Sequence, residues 1–343
     1  MSDVSVIIVT WNSAGCIAAC LKSIAQHGGD SVREIIVADN GSTDETRTLV
    51  AEHFPQVRLL AMGANLGFPK ANNLAAAQAT GDYLFFLNPD ARLENEAIAL
   101  LRDRLIQDEN LGMTGPCIRD EEGHSVVVDA RAFPSLRNTC FRYLGLRTLF
   151  PGHPVFGAAY LHPAKRVSSQ EVACLSGAAL FMSTALFQEV GGFDDELPMY
   201  FEDMDLCGKV NATGRYCGYE PAARVTHLGG KSAALSPIAR FLLALEDGQA
   251  PWMYFRRYRS LRAAQMFTLI LALGNLFRIA LYTLALPLAL IPNVRRELFT
   301  RFDIAFTMLR WCISSKSRCI AEARARFDAE PTTFTPDQAH ERG

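Results

Sequence analysis

Val4-Ser-Val-Ile-Ile-Val-Thr10 and Glu34-Ile-Ile-Val-Ala-Asp39 are the two stretches whose reading decides the fold. Each is a short run of mostly β-branched and aliphatic residues ending on a polar side chain. That is the pattern of a strand covered on both faces, with its carboxyl end reaching a surface. Between them Cys16–Ala25 has helical composition, so the first forty residues form a strand–helix–strand unit. Ser42-Thr-Asp-Glu45 has the form of a capping box opening the next helix, and Val57–Ala61 reads as a third strand. Pro69 suits the first turn of a helix through Ala79, and Asp82-Tyr-Leu-Phe-Phe-Leu87 is an almost wholly apolar fourth strand. Strands alternating with helices at this spacing predict an α/β fold, Rossmann-like, with a mostly parallel central sheet. Such sheets bind ligands at the carboxyl ends of their strands.

Beyond about residue 110 the alternation weakens. Asp120–Ser169 carries Pro134, Pro151, Pro154 and Pro163 and reads as a long, loop-rich region. Val172–Met182 reads as a strand broken at Ser176-Gly177, Glu202–Thr213 as a helix, and Tyr216–Tyr219 and Val225–His227 as short strands. After Pro251 the chain turns aromatic, basic and apolar. Ala263–Pro292 is long enough to cross a bilayer, but Asn275 and Arg278 near its middle are costly in hydrocarbon. Amphipathic helices lying on a membrane or packed on the body are therefore expected, ahead of a spanning segment or a dimer face. The polar tail from about residue 327 is expected to be disordered.

The net charge of −2 hides an asymmetry: Pro251–Arg318 holds eleven Lys/Arg against Glu297 and Asp303, a net +9 that leaves −11 for the remainder. An acidic body argues against a nucleic-acid partner, and a basic, apolar C-terminal part suits an anionic membrane surface or a lipid-linked phosphate. None of the nine cysteines forms a Cys-x-x-Cys pair and no secretory signal precedes Val4, so a reduced, cytosolic setting is expected. Cys16 and Cys20 stand four apart on the first helix, and packing is the preferred reading over metal ligation.

The polar residues that follow the strands carry the chemistry. Asp39-Asn-Gly-Ser-Thr-Asp44 offers a carboxylate for a base N–H or ribose hydroxyl, although the same sequence is ordinary turn chemistry. Asp90, in Leu87-Asn-Pro-Asp90, stands at the end of the fourth strand, where carboxylate oxygens suit Mg²⁺ or Mn²⁺ bridging two phosphates. Tyr200-Phe-Glu-Asp-Met-Asp205 puts three acids in a first helical turn, more than a cap requires. Glu202 or Asp203 is then a candidate general base. His227, before Gly229-Gly-Lys231-Ser, is open to two readings, a ligand of the same cation or a phosphate contact, with Lys231 as a nearby cation. The glycine that a nucleoside-triphosphate P-loop needs ahead of Gly-Lys-Ser is absent. A grip on a nucleoside, a cation site and a base are what sugar transfer from a nucleotide diphosphate requires.

In their order along the chain, Val6–Asn12, Asp39–Asp44, Asn65-Leu-Gly-Phe68 with Asn72-Asn73, Asn88-Pro-Asp90, Ser176–Ala179, Gly191-Gly-Phe-Asp194, Phe201–Leu206 and His227 resemble the family 2 inverting glycosyltransferases of the GT-A fold, particularly their bacterial rhamnosyltransferase-like branch. The resemblance covers roughly residues 4–232. It implies that Thr10, Asn12 and Asp39 hold the nucleoside, that Asn65, Gly67 and Asn72 line the donor pocket, and that Asp90 and His227 hold Mg²⁺ or Mn²⁺. Asp203 is then the base, with Glu202 beside it. Asn88 departs from the family's Asp-x-Asp by replacing its first acid. The implied organisation is a transferase domain over 1–250, with a donor half to about 115 and an acceptor half over 116–250. A basic helical, membrane-proximal extension over 251–326 and a tail over 327–343 follow. The implied partners are a nucleotide sugar, with dTDP-L-rhamnose favoured over UDP-sugars, a saccharide or lipid-linked acceptor at the inner face of the cell membrane, and a second copy of the chain as a further option. A nucleotidyltransferase is disfavoured, because Thr10-Trp-Asn-Ser-Ala-Gly15 lacks a basic Gly-rich loop. A non-catalytic scaffold leaves the retained acids Asp39, Asp90, Glu202 and Asp203 unexplained.

Overall fold

The computed structural model describes residues 3–124, 130–150, 152–157, 167–196, 199–228, 244–290 and 292–329. The chain divides into two compact units, one formed by Met1–Ala132, Tyr160–Gly230 and Ala323–Gly343, the other by Phe133–Ala159 and Lys231–Glu322.

The first unit is built on eleven strands among its described residues: β1 Val4–Thr10, β2 Val32–Asp39, β3 Arg58–Ala61, β4 Tyr83–Leu87, β5 Ala91–Leu93, β6 Leu111–Arg119, β7 Ala130–Arg131, β8 Gln170–Val172, β9 Cys174–Leu175, β10 Ala179–Ser183 and β11 Tyr216–His227. Nine of them form one sheet in the order β3-β2-β1-β4-β10-β6-β11-β5, with β8 on β11, while β7 and β9 make a separate two-stranded ladder. β3, β2, β1 and β4 run parallel, as their apolar runs and intervening helices predict. The far half is mixed, because β10 enters antiparallel between β4 and β6 and β5 lies antiparallel on β11.

All seven residues of β1 are buried. Val4, Val6 and Ile8 pack with Phe85, Phe181 and Ile98 on one face, and Phe86 meets Phe187 and Phe193 edge-on or tilted at 4.9–5.0 Å on the other. Side chains alternate across a strand, so covering both faces requires the unbroken apolar runs seen in the sequence. The capping box expected at 42–45 does not form. The helix begins at Thr46, Asp44 Oδ1 accepts from the Thr46 N–H at 3.0 Å, and Ser42 Oγ instead accepts from the Asn12 N–H at 2.9 Å. The loop chemistry there serves the β1 end before it serves the helix.

The second unit is helical among its described residues, with Leu136–Tyr143, Ala250–Tyr258, Leu261–Leu284 and Pro292–Ile313 as its main elements. Residues 133–157 belong with these helices by contact, not with the sheet. Gly274 lets the Leu136–Tyr143 helix approach, since a Cβ there would lie 2.5 Å from the Cβ of Tyr143. Asn275 is fully buried, and Arg278 sits 4.4 Å from the Tyr143 ring centroid and donates to the Arg142 carbonyl at 2.8 Å. Arg142 in turn makes two bonds to Asp247, at 2.6 and 2.5 Å. The costly polar residues of the apolar helix therefore face protein. Leu269, Leu273, Leu276, Phe277, Leu281 and Leu284 are exposed, and the helix is long and apolar enough to cross a membrane. The Lys316–Ala329 helix runs past the expected start of the tail, and residues 330–343 lie outside the described ones.

Candidate functional site

The parallel strands deliver their polar ends to one edge. Thr10 and Asp39 are register partners at the ends of β1 and β2. Asp39 is 1% exposed; its Oδ1 accepts from Thr10 Oγ1 at 3.2 Å, and its Oδ2 accepts from the Ser42 N–H at 3.1 Å. Asn12 follows in a left-handed conformation (φ 50°), which asparagine tolerates better than most residues, and its Oδ1 accepts from the Thr43 N–H at 2.8 Å. Asn40 ties this loop to the next, donating to Asn65 Oδ1 at 2.7 Å and accepting from the Leu66 N–H at 2.8 Å. Asn65 Oδ1 also accepts from the Gly67 N–H at 3.0 Å. Gly41 makes the approach possible: its φ is +82°, and a Cβ would lie 2.8 Å from the Ala64 carbonyl carbon. Asn72 is buried and donates back to the Phe68 carbonyl of its own helix at 2.9 Å.

The second cluster lies beyond β4. The antiparallel pairing of β5 with β11 sets His227 opposite Ala91, and so beside Asn88 and Asp90. His227 Nε2 stands 3.1 Å from Asp90 Oδ1 and 3.2 Å from Asn88 Nδ2, and the Leu228 N–H donates to the Asp90 carbonyl at 3.2 Å. A carboxylate oxygen and an imidazole nitrogen meeting at this spacing suit a divalent cation that accepts mixed oxygen and nitrogen ligands, while the Asn88 NH2 beside His227 is a hydrogen-bond donor and not a ligand. Lys231 lies outside the described residues. Burial first, then the nearby Asp90 and Asp44 carboxylates, push the Cys16 thiol up to about 12, so it stays protonated in the metal-free protein.

The acid pair opens the helix Glu202–Ala212, just after Tyr200 in a left-handed conformation (φ 76°), a sparsely populated region of the kind that clusters at functional sites. Both acids are buried, at 7% and 8% exposure. Burial, followed by the adjacent Asp203 charge, raises the Glu202 carboxyl to about 8, so it holds its proton near neutral pH. Asp203 Oδ2 accepts from Arg131 Nη2 at 2.7 Å and from the Gly177 N–H at 3.1 Å. The turn Ser176–Ala178 joins the two clusters, because the Ala178 carbonyl accepts from the Asn88 N–H at 3.0 Å. Arg131 escaped the sequence reading: it lies 72 residues from Asp203 in a stretch read only as loop-rich, and no spacing rule connects the two. Asn40 was passed over as turn chemistry.

Asp120, Glu122 and His124 bring ligand atoms within 4.8 Å of one another at the surface. The bonds of their own turn, led by the His124 N–H donating to Asp120 at 2.7 Å, account for that grouping.

A parallel-to-mixed sheet with nucleotide-suited loops after β1 and β2, a cation-suited cluster after β4 and an acid pair on a following helix defines a glycosyltransferase of the GT-A type. Residues 5–160 match the domain described as glycosyl transferase family 2. The chain is 34% identical over 250 residues to an N-acetylglucosaminyl-diphospho-decaprenol L-rhamnosyltransferase of Mycobacterium tuberculosis, covering 69% of this chain and 80% of the relative. It is 26% identical to the rhamnosyltransferase WbbL of Escherichia coli K12, over 65% of this chain and 83% of that one. The protein belongs to glycosyl transferase family 2. Its fold is similar to that of the mannosyltransferase PcManGT from Pyrobaculum calidifontis in complex with GDP-Man and Mn²⁺, with a TM-score of 0.51 at 20% identity over 91% of this chain and 88% of that one. It is also similar to GalNAc-T7 with UDP, GalNAc and Mn²⁺, with a TM-score of 0.52 at 18% identity over 76% and 51% of the two chains.

Proposed function

We propose that the enzyme transfers L-rhamnose from dTDP-L-rhamnose, with inversion and with Mg²⁺ or Mn²⁺, onto a lipid-linked saccharide diphosphate at the inner face of the cell membrane. The observation that carries the metal-dependent reading is the meeting of Asp90, His227 and Asn88 within 3.2 Å. Rhamnosyl transfer and the lipid-linked acceptor draw their support from the relatives named as rhamnosyltransferases.

Thr10, Asn12 and Asp39 contact the nucleoside, with Asn65, Gly67 and Asn72 forming the wall of the donor pocket. Asp90 and His227 hold the cation, which offsets the negative charge of the departing diphosphate, and Asn88 orients His227. Asp203 receives the acceptor hydroxyl proton as the acceptor oxygen attacks the anomeric carbon from the face opposite the diphosphate, which inverts the configuration. Glu202, protonated, keeps a second negative charge away from Asp203. Lys231 adds a cation for the phosphates. The exposed apolar face of Leu261–Leu284 lies on the membrane, with Asn275 and Arg278 turned into the protein, and the flanking arginines meet anionic headgroups.

The test is a donor screen with purified protein and Mn²⁺ or Mg²⁺, measuring binding and slow hydrolysis of dTDP-L-rhamnose against UDP-sugars, with Asp90→Ala as control. Metal-dependent use of dTDP-L-rhamnose that is lost in the control supports the reading. Preference for a UDP-sugar removes the rhamnosyl assignment, and failure to bind any nucleotide sugar removes the donor site.

A further inference from the structure

The two-stranded ladder of β7 and β9 stands apart from the main sheet and pairs Arg131 with Cys174. Three residues after Cys174 the chain reaches Gly177. One small ladder thus supplies both donors that converge on a single oxygen, Asp203 Oδ2: the Arg131 guanidinium at 2.7 Å and the Gly177 N–H at 3.1 Å. The other oxygen, Oδ1, accepts from the Met204 N–H at 2.6 Å. Gly177 leaves room for the carboxylate, since even a Cβ there would lie 3.4 Å from the Cβ of Asp203.

Burying an arginine is costly unless its charge is matched. Burial opposes the charge of Arg131, and the Asp203 carboxylate together with Cys174 and Cys207 more than offsets it. Its neighbours on the other sides are the buried thiols of Cys174 and Cys207, a weakly polar setting in which the pair is screened little. Arg131 Nη2 bonds Asp203 and the guanidinium also lies against the Cys174 thiol, while its Nε has no partner among the described residues. The helix start itself already suits acids without help from Arg131.

We propose that Arg131 is a positioning residue for the transfer reaction, locking Asp203 in one rotamer so that its carboxylate faces the incoming acceptor hydroxyl beside Glu202. The inference rests on the reading of Asp203 as the base. It assigns to Arg131 no contact with donor or acceptor.

The experiment compares wild type, Arg131→Ala, Arg131→Lys and Asp203→Asn in Mn²⁺-dependent hydrolysis of dTDP-L-rhamnose across pH 5–9, with dTDP binding as the check of folding. Loss of one charge-assisted bond predicts a fall in kcat of roughly 10- to 100-fold for Arg131→Ala with donor KM nearly unchanged. Added guanidinium should recover part of kcat. Arg131→Lys keeps the charge but not the planar fork, so it should lower kcat as well, with donor KM nearly unchanged. A normal kcat in both arginine variants, with Asp203→Asn inactive, overturns the role of Arg131 and leaves the base intact. An active Asp203→Asn overturns the base reading, and this inference with it. If Arg131→Ala fails to bind dTDP, Arg131→Lys decides, and wild-type kcat in that variant counts against the inference.

Discussion

Replacing Glu202 with Gln should change how stability depends on pH more than it changes stability at acid pH. In the fold the Glu202 carboxyl is raised from the ordinary 4.5 to about 8, by burial first and the Asp203 charge second. Because the folded value exceeds the unfolded one, the native state holds the extra proton between the two. The stability tied to that proton is fully present below about pH 4.5, is lost as pH rises, and is gone above about pH 8. At about 1.4 kcal/mol per unit, wild type should lose on the order of 4 kcal/mol across this window relative to a residue that does not titrate. Gln keeps the shape and an oxygen for the Phe201 N–H, which donates to Glu202 at 2.9 Å in the wild type. Urea unfolding of wild type and Glu202→Gln at half-unit steps from pH 5 to 8.5 measures the difference. The two curves should diverge with rising pH, the variant becoming the more stable. Parallel curves would refute the reasoning, because they would mean that Glu202 ionises in the fold as it does in the open chain. Asp203→Asn supplies a second check, since removing the adjacent charge should lower the Glu202 carboxyl, so that the divergence becomes smaller and is complete at lower pH.

Asp90→Ala and His227→Ala should each raise the Mn²⁺ concentration needed for half-maximal donor hydrolysis by at least about tenfold, with dTDP binding in the absence of metal little changed; titration with Mn²⁺ reads this directly. Gly41→Ala places a Cβ 2.8 Å from the Ala64 backbone at φ +82°, and should cost roughly 2–4 kcal/mol in urea unfolding while weakening nucleotide binding, because the Asn40–Asn65 link crosses that contact. Leu273→Glu with Phe277→Glu should abolish co-sedimentation with vesicles containing anionic lipid and leave the thermal midpoint within a few degrees, since both side chains are exposed. Retained sedimentation removes this face as the membrane contact.

The first ninety residues were legible because their signals are local. Runs such as Val4–Thr10 and Tyr83–Leu87 are mostly apolar on both faces, which a doubly covered strand explains, and they and Val32–Asp39 lead into Thr10, Asn88 and Asp39, the residues that reach the sheet edge. Candidate acids at strand ends could be named one by one for the same reason. What the sequence did not carry was pairing between distant segments. The antiparallel entry of β10, the setting of His227 against Asp90 across the β5–β11 ladder, and the Arg131–Asp203 ion pair all depend on which strand lies next to which. Register is a property of two segments at once, and neither segment alone encodes it. The apolar helix shows the same division. Composition determined that Ala263–Pro292 is apolar and long enough to cross a bilayer, and that Asn275 and Arg278 are misplaced for hydrocarbon. Only packing against Leu136–Tyr143 decided that Asn275 is buried, that Arg278 is half-buried with its guanidinium on the Arg142 carbonyl, and that the face left outside is leucine and phenylalanine, because contacts between distant segments are not written in either one.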